Sequence, residues 1–372
     1  MFRLRYLAIF GLLATFVVAS AVAQDKKEPD PKEVKKEEPK KEEPKKVDPK
    51  KEEPKKEEPK KVDPPKNEVP GLAWKFEVNK SFYQKMDTTT EQNIKVMGLD
   101  VVQKQEQTFF FKWTPLEQDK DGNWKIKQEI EGIKMKIDIA GNPVSFDSTQ
   151  ENPAAGANTA LSEFFKALKG SSFTLTFNSK TLKVDKVDGR KEFIDKLATA
   201  NQQLQPLLAK ILSDDALRQM ADPTFGILPP AGKKVKDSWE STSTLNLGPV
   251  GTYTNKYKYT WQEQDAKNKD LEVITVETTL SYTAPTESDP ALPFKIKSST
   301  LATKPEKDPG KITFNTKLGR LQSSDVKITL SGTLMIEIGG NSTQVELTQN
   351  QTTSVVTGDD SFIPKPMEPK KP

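Results

Sequence analysis

From Val326 to Ile338 apolar and polar residues alternate, with only Gly332 and Met335 out of step. Val326, Ile328, Leu330, Leu334, Ile336 and Ile338 fall on one side, and Lys327, Thr329, Ser331, Thr333 and Glu337 on the other. A period of two is what a strand presents when one sheet face is buried and the other is wet. Thirteen residues at about 3.3 Å each span about 43 Å, well beyond an average strand. Gly339-Gly340-Asn341-Ser342 then predicts a turn into a second strand, Thr343 to Val356. Phe109, Phe111 and Trp113 alternate similarly, and Asp119-Lys120-Asp121-Gly122-Asn123 predicts a turn into a strand from Trp124 to Ile130. Past Gly132 the apolar parity switches to Ile133, Met135, Ile137 and Ile139, as a β-bulge requires.

Between about 159 and 222 the period lengthens to that of a helix. Leu161, Phe164, Phe165 and Leu168 share a helical face closed by Gly170. Phe193, Ile194 and Leu197 follow Asp188, a good N-cap residue. Pro206 opens a third segment with Leu207, Leu208, Ile211 and Leu212. Ser213-Asp214-Asp215 caps a fourth, with Leu217 and Met220, expected to end at Asp222-Pro223. Such faces need an apolar partner, and the sheet is the large one available.

Three short matches recur in the same order. Val78-Asn79-Lys80-Ser81-Phe82 parallels Val235-Lys236-Asp237-Ser238-Trp239, and Phe111-Lys112-Trp113 parallels Tyr259-Thr260-Trp261. Thr176-Phe177-Asn178-Ser179-Lys180 parallels Thr313-Phe314-Asn315-Thr316-Lys317. The expected fold is mainly β with a helical insertion. Its antiparallel sheet is duplicated, with half-repeats at about 72–187 and 233–356, and is curved or an open barrel with short amphipathic helices packed on it.

The flanks are of another kind. Arg3 and Arg5, an apolar run from Tyr6 to Val18 and Ala21-Val22-Ala23 make up a secretory signal, with cleavage expected after Ala23. Residues 24–68 contain KKEEPKKEEPKKVDP twice over. Proline at every fifth position from Pro39 to Pro64 forbids a continuous helix, and Lys/Glu blocks cannot form a core. A disordered, extended linker is expected there, and a disordered tail over 365–372. The region from 69 to 364 is the expected globular domain, exported to the periplasm, cell envelope or exterior.

The 372 residues include no histidine and no cysteine. That excludes a thiol nucleophile, a Ser-His-Asp triad, disulfides and zinc sites built on imidazole or thiolate. The formal net charge is +4, but residues 24–68 carry 16 lysines against 15 acids, and the signal and the tail each add +2. The folded region is left close to neutral, without the electrostatic footprint of a nucleic-acid-binding protein.

The candidate sites reduce to structural roles. Asp119 to Asn123 resembles the start of a calcium loop, but Trp124 and Ile130 stand where glycine and glutamate are needed, so a hairpin turn is expected. Ser324 and Lys327 have the spacing of a nucleophile pair, yet residues three apart on a strand point to opposite faces. Asp214-Asp215 read as partners of a helix dipole, and Asp359-Asp360 as loop residues. Tyr253, Tyr257, Tyr259 and Trp261 form an aromatic stripe, expected in the core rather than on a sugar- or lipid-contacting surface. Asn341-Ser342-Thr343 and Asn350-Gln351-Thr352 fit the glycosylation acceptor pattern.

TFFFKWTPLEQDKDGNWKIKQEIEGIKM (108–135), QMADPTF (219–225), GPVGTYTNKYKYTW (248–261) and IEIGGNSTQVELTQNQTT (336–353) resemble an uncharacterised family of exported bacterial proteins, a domain of unknown function. The resemblance covers about 72–356. It implies export and a β-rich domain, and it carries no catalytic residues. The expected function is therefore a non-enzymatic binding module on a charged spacer, without metal or cofactor, its partner a hydrophobic small molecule or an envelope protein. A structural or adhesive envelope protein is the alternative, and a carboxylate-based hydrolase the third.

Overall fold

The computed structural model describes residues 72–363, except 151–158, 200–201, 203–204, 266, 290–291 and 293. The signal, the linker and the tail lie outside the described residues.

The chain forms one antiparallel sheet of 14 strands. The first stretch contributes β1 (Phe82–Val96), β2 (Leu99–Gln118), β3 (Trp124–Ile139), β4 (Asn142–Asp147), β5 (Ser172–Asn178) and β6 (Lys183–Asp188). The second contributes β7 (Ser238–Asn246), β8 (Thr252–Trp261), β9 (Leu271–Thr283), β10 (Lys295–Ser299), β11 (Ala302–Lys304), β12 (Gly310–Asn315), β13 (Arg320–Ile338) and β14 (Asn341–Gly358). Across the sheet the order is β6-β5-β3-β2-β1-β14-β13, then a broken row of β10, β11 and β12, then β9-β8-β7. β4 shares the far edge of β3 with β5. Helix α1 (Thr159–Leu168) lies between β4 and β5, and α2 (Arg190–Ala198), α3 (Gln205–Ile211) and α4 (Asp214–Phe225) separate the two stretches.

The long alternation is β13, which begins at Arg320 and pairs in unbroken register with β14 from Ser323↔Val356 to Ile338↔Asn341. The bulge falls where the parity switches: Phe111 faces Ile130 while Phe110 faces Gly132, so Glu131 is the extra residue. Two helix boundaries differ from expectation. Asp188 is the last residue of β6, and Gly189 is the N-cap of α2, at φ 94°. Its Cβ-less backbone makes that left-handed turn without strain, and a Cβ there would come within 3.1 Å of the Ser172 carbonyl oxygen. α4 does not stop at Asp222-Pro223 but runs to Phe225. Proline removes only the bond to the Gln219 carbonyl, and the Gly226 N–H still reaches the Asp222 carbonyl at 3.2 Å. The extra turn carries the Phe225 ring into the core. The N-terminus of α4 is as expected, with the Ser213 hydroxyl accepting from the Ala216 N–H at 3.1 Å.

The matched segments occupy similar places. Phe82 stacks on Trp113 and Trp239 on Tyr259, while Ser81–Thr114 and Ser238–Thr260 join hydroxyls at 2.8 Å in each pair. Tyr259, rather than Trp261, thus takes the place of Trp113. Phe177 and Phe314 are both fully buried at the ends of β5 and β12, each before a turn whose asparagine, Asn178 or Asn315, accepts backbone N–H groups.

The buried face of the sheet has two zones. At one end Trp74, Trp113, Phe177, Phe225 and Phe314 pack ring against ring, with centroids 4.4–6.2 Å apart. In the middle, β2, β1 and β14 carry a neutral polar grid. Gln103, Gln92 and Gln349 form one row, Gln105, Thr90 and Gln351 the next, and Gln107, Thr88 and Thr353 the third, all buried. Gln92 donates to Gln349 at 2.6 Å, and Gln349 to Gln351 at 3.0 Å. A register slip of one residue would send the whole grid to the outer face, so these pairs reinforce the register.

Two buried tyrosines give the fold a pH dependence. Burial raises the Tyr253 hydroxyl far above its ordinary value, and burial also raises that of Tyr282, whose O–H donates to the Val250 carbonyl at 2.6 Å. Unfolded tyrosines ionise near pH ~10. Above that pH the unfolded chain binds fewer protons than the folded one, so this stabilisation is complete below pH ~10 and falls as pH rises. Thermal melts from pH 8 to 11.5 should show a steep alkaline decline that Tyr253→Phe makes shallower. An unchanged slope in that variant would refute the assignment.

Candidate functional site

No pairing joins β6 to β7 among the described residues, although each is an outermost strand of the sheet. Helix α4 stands between them. On one side Asp222 Oδ1 accepts from the Val184 N–H of β6 at 2.7 Å. On the other, Gln219 Oε1 accepts from the Asn246 N–H of β7 at 3.0 Å. Residues three apart on a helix lie on one face, so a single face of α4 grips both edges. The rest of the helix turns Ala216, Leu217, Met220, Ala221 and Phe225 inward.

Beside this clamp lies a cleft of about 550 Å³. One wall is the consecutive run Lys180–Asp185, another is Trp239–Thr244, and α4 supplies Arg218, Gln219 and Asp222. Consecutive residues of both parities line a cleft only where a strand presents its backbone edge. Alternation fixes which groups face out: Asn246 N–H meets Gln219 and the Ser238 carbonyl accepts from Lys233 Nζ, so the even-numbered residues of β7 direct N–H and C=O away from β8. Glu240 and Thr242 therefore turn backbone groups toward the cleft.

The inner end of the cleft is aromatic. Trp239 and Tyr259 stack at 5.5 Å and Tyr257 and Tyr259 at 5.9 Å, and all three line the cavity. Trp239 is 7% exposed, and its indole N–H has no hydrogen-bond partner among the described residues. A buried donor left unpaired is costly and calls for an explanation. The rim balances Lys180, Lys183 and Arg218 against Asp185, Asp222 and Glu240, so it has no net charge with which to select an ion. A second depression of about 580 Å³ lies where Gly248 and Pro249 meet Thr283–Asp289. It is walled mainly by loops, and Lys210 there is paired with Asp289 at 2.5 Å.

Of the residues weighed from sequence, Tyr257 and Tyr259 line the cleft and the others lie elsewhere. Asp119 closes its own turn, its carboxylate accepting from the Asp121 N–H, the Asn123 N–H and Asn123 Nδ2, each at 2.9 Å. The Asn123 side-chain bond is the main cause of its lowered pKa. Ser324 is buried on the inner face of β13, whereas Lys327 is exposed on the outer face, 3.5 Å from Glu306. Asp214 and Asp215 sit in the first turn of α4, the second paired with Arg218 at 2.9 Å. Asp359 holds Arg320 at 2.7 Å. Tyr253, Tyr257, Tyr259 and Trp261 are all buried, and Trp261 donates to Glu272 at 2.8 Å. The strand-edge cleft went unread in the sequence. Its traces were QMADPTF, which holds both clamp residues, and the Tyr257–Tyr259 part of the aromatic stripe.

Residues 121–361 match a family of unknown function (DUF6263), and the chain belongs to that family. The matched span begins later than the resemblance implied and leaves all of β1 and β2 outside it. No curated protein matches the sequence. Among solved structures, one of lipid–protein interactions in lipovitellin has a TM-score of 0.40 at 7% identity, covering 79% of this chain and 26% of that one. DynF from the dynemicin biosynthesis pathway of Micromonospora chersina has a TM-score of 0.19 at 7% identity, covering 77% and 83%. OccK5 (OpdH) of Pseudomonas aeruginosa has 0.17 at 6% identity, covering 75% and 98%. The chain thus spans about a quarter of the lipovitellin chain. Among the described residues no helix is long and apolar enough to cross a membrane.

Proposed function

We propose that this member of the DUF6263 family is a non-enzymatic binding module, exported and carried on the charged spacer of residues 24–68, whose site is the cleft between β6 and β7. The observation that carries the reading is the outward backbone edge of Glu240 and Thr242 opening on a cleft lined by Trp239, Tyr257 and Tyr259. A ligand's polar groups would meet that edge while the stacked rings cover its apolar side. The rim carboxylates support binding rather than acid–base chemistry. Asp222 already accepts from Val184, and Asp185 from Asn178 Nδ2 at 3.1 Å.

The three rings at the inner end favour an apolar group on that ligand. Native mass spectrometry of the full chain, purified from its own cells without detergent, tests the site. A reproducible added mass is expected, and Trp239→Ala should abolish it. A clean mass for the unsubstituted protein, or an adduct that survives Trp239→Ala, would count against the cleft.

A further inference from the structure

We infer that the occupant of the cleft is an extended segment of another polypeptide, added as a strand to the free edge of β7. This rests on the reading of the cleft as the binding site and goes further by naming the chemistry of what enters it.

Three observations lead there. First, the cleft wall at β7 is a strand edge, with backbone groups of Glu240 and Thr242 directed outward between two points already taken: Ser238 by Lys233 and Asn246 by Gln219. An open run of this kind is what strand addition uses, main-chain bonds supplying affinity and side-chain pockets the selectivity. Second, the sheet itself shows how such a gap is filled. β1 and β13 do not pair with each other; β14 lies between them and bonds to both. At β6 and β7 the corresponding place holds a helix on the inner side and an open cleft beside it. Third, the cleft joins that edge to an apolar end lined by Trp239, Tyr257 and Tyr259, which suits a segment offering main-chain bonds and an apolar side chain together.

The chain's own spacer is a poor donor strand. Its prolines at every fifth position from Pro39 to Pro64 remove the amides that a ladder needs. The segment must come from a different polypeptide, and the cleft describes it. Side chains directed inward would lie beside Trp239, Ser241 and Ser243, so alternate residues should be apolar. Those between them would meet Glu240 and Thr242 and should be polar or basic.

The test uses the full chain and a display library of random linear heptapeptides, followed by the best binder as a synthetic peptide and as its backbone N-methylated form. The proposal expects enriched sequences with apolar residues at alternate positions and at least tenfold slower hydrogen exchange at Glu240 and Thr242 in the complex. N-methylation should weaken binding at least tenfold. Thr242→Pro removes an outward amide where an edge strand tolerates proline, and it should weaken binding at least tenfold and more than Thr242→Val, which keeps that amide. Melting curves of both variants report folding. The proposal is overturned if no peptide is enriched, if binding leaves those amides unprotected, or if Thr242→Pro binds as tightly as the unsubstituted chain. Should the Trp239-dependent adduct then persist in native mass spectra, the cleft remains the site and only the strand is wrong; without that adduct, both readings fail.

Discussion

The Gln219→Ala/Asp222→Ala double variant is expected to lose about 2–4 kcal/mol of folding stability and to self-associate through its freed sheet edges. The larger share belongs to Asp222. A hydrogen bond to a charged acceptor contributes about 1.5–3 kcal/mol and a neutral one about 0.5–1.5. The amide that Asp222 caps, on Val184, is buried, whereas that of Asn246 is exposed and water can replace Gln219. Without the clamp, the Val184 and Asn246 amides join the open stretch of β7 as unpaired edge groups, which invite pairing with other chains. Urea unfolding measures the first effect and sedimentation velocity the second. Asp222→Asn keeps an acceptor and should recover much of the loss. A double variant within about 0.5 kcal/mol of the parent and with the parent's sedimentation profile would mean that α4 merely rests against the edges.

Phe225→Ala should cost about 3–5 kcal/mol, in the range for truncating a buried aromatic side chain. Its ring is 2% exposed and lies 4.4 Å from Phe177, 5.4 Å from Trp74 and 6.2 Å from Trp113. The Phe225 carbonyl also accepts from the Trp74 indole at 3.0 Å. Removing the ring opens a cavity beneath the C-terminal turn of α4, the turn that passes through Pro223. The melting temperature should fall and tryptophan emission should move to the red as Trp74 and Trp113 meet water. Phe225→Leu, which fills most of the space, should do far less. Equal behaviour of the two variants would show that the ring cluster is not what anchors the helix.

Local signals in the sequence corresponded to local structure. The alternation of β13, the Gly339-Gly340 turn, the parity switch at the bulge and the Ser213 cap depend on residues within a few positions of one another, and each was legible. The boundaries of α2 and α4 were not, because Gly189 and Phe225 are governed by what they pack against. The amide grid was equally hidden. Thr88, Thr90, Gln92, Gln349 and Gln351 are polar residues on a buried face, where a rule that counts apolar residues finds no alternation. Least legible was the seam. Gln219 meets an amide 27 residues away and Asp222 one 38 residues away in the opposite direction, and neither side chain signals that its partner is a strand edge. Trp239 stood out only as the counterpart of Phe82.

The central claim is that the sheet remains open between β6 and β7, with its ends gripped by α4 and a stretch of β7 edge left for a ligand. Residue-resolved hydrogen exchange of the ligand-free protein tests it most directly. The amides of Val184 and Asn246 should be protected by their side-chain acceptors, while Glu240 and Thr242, in the same strand as Asn246, should exchange at least tenfold faster. Glu240 and Thr242 exchanging as slowly as Asn246 would mean that the edge is already covered, and the cleft could not be the site.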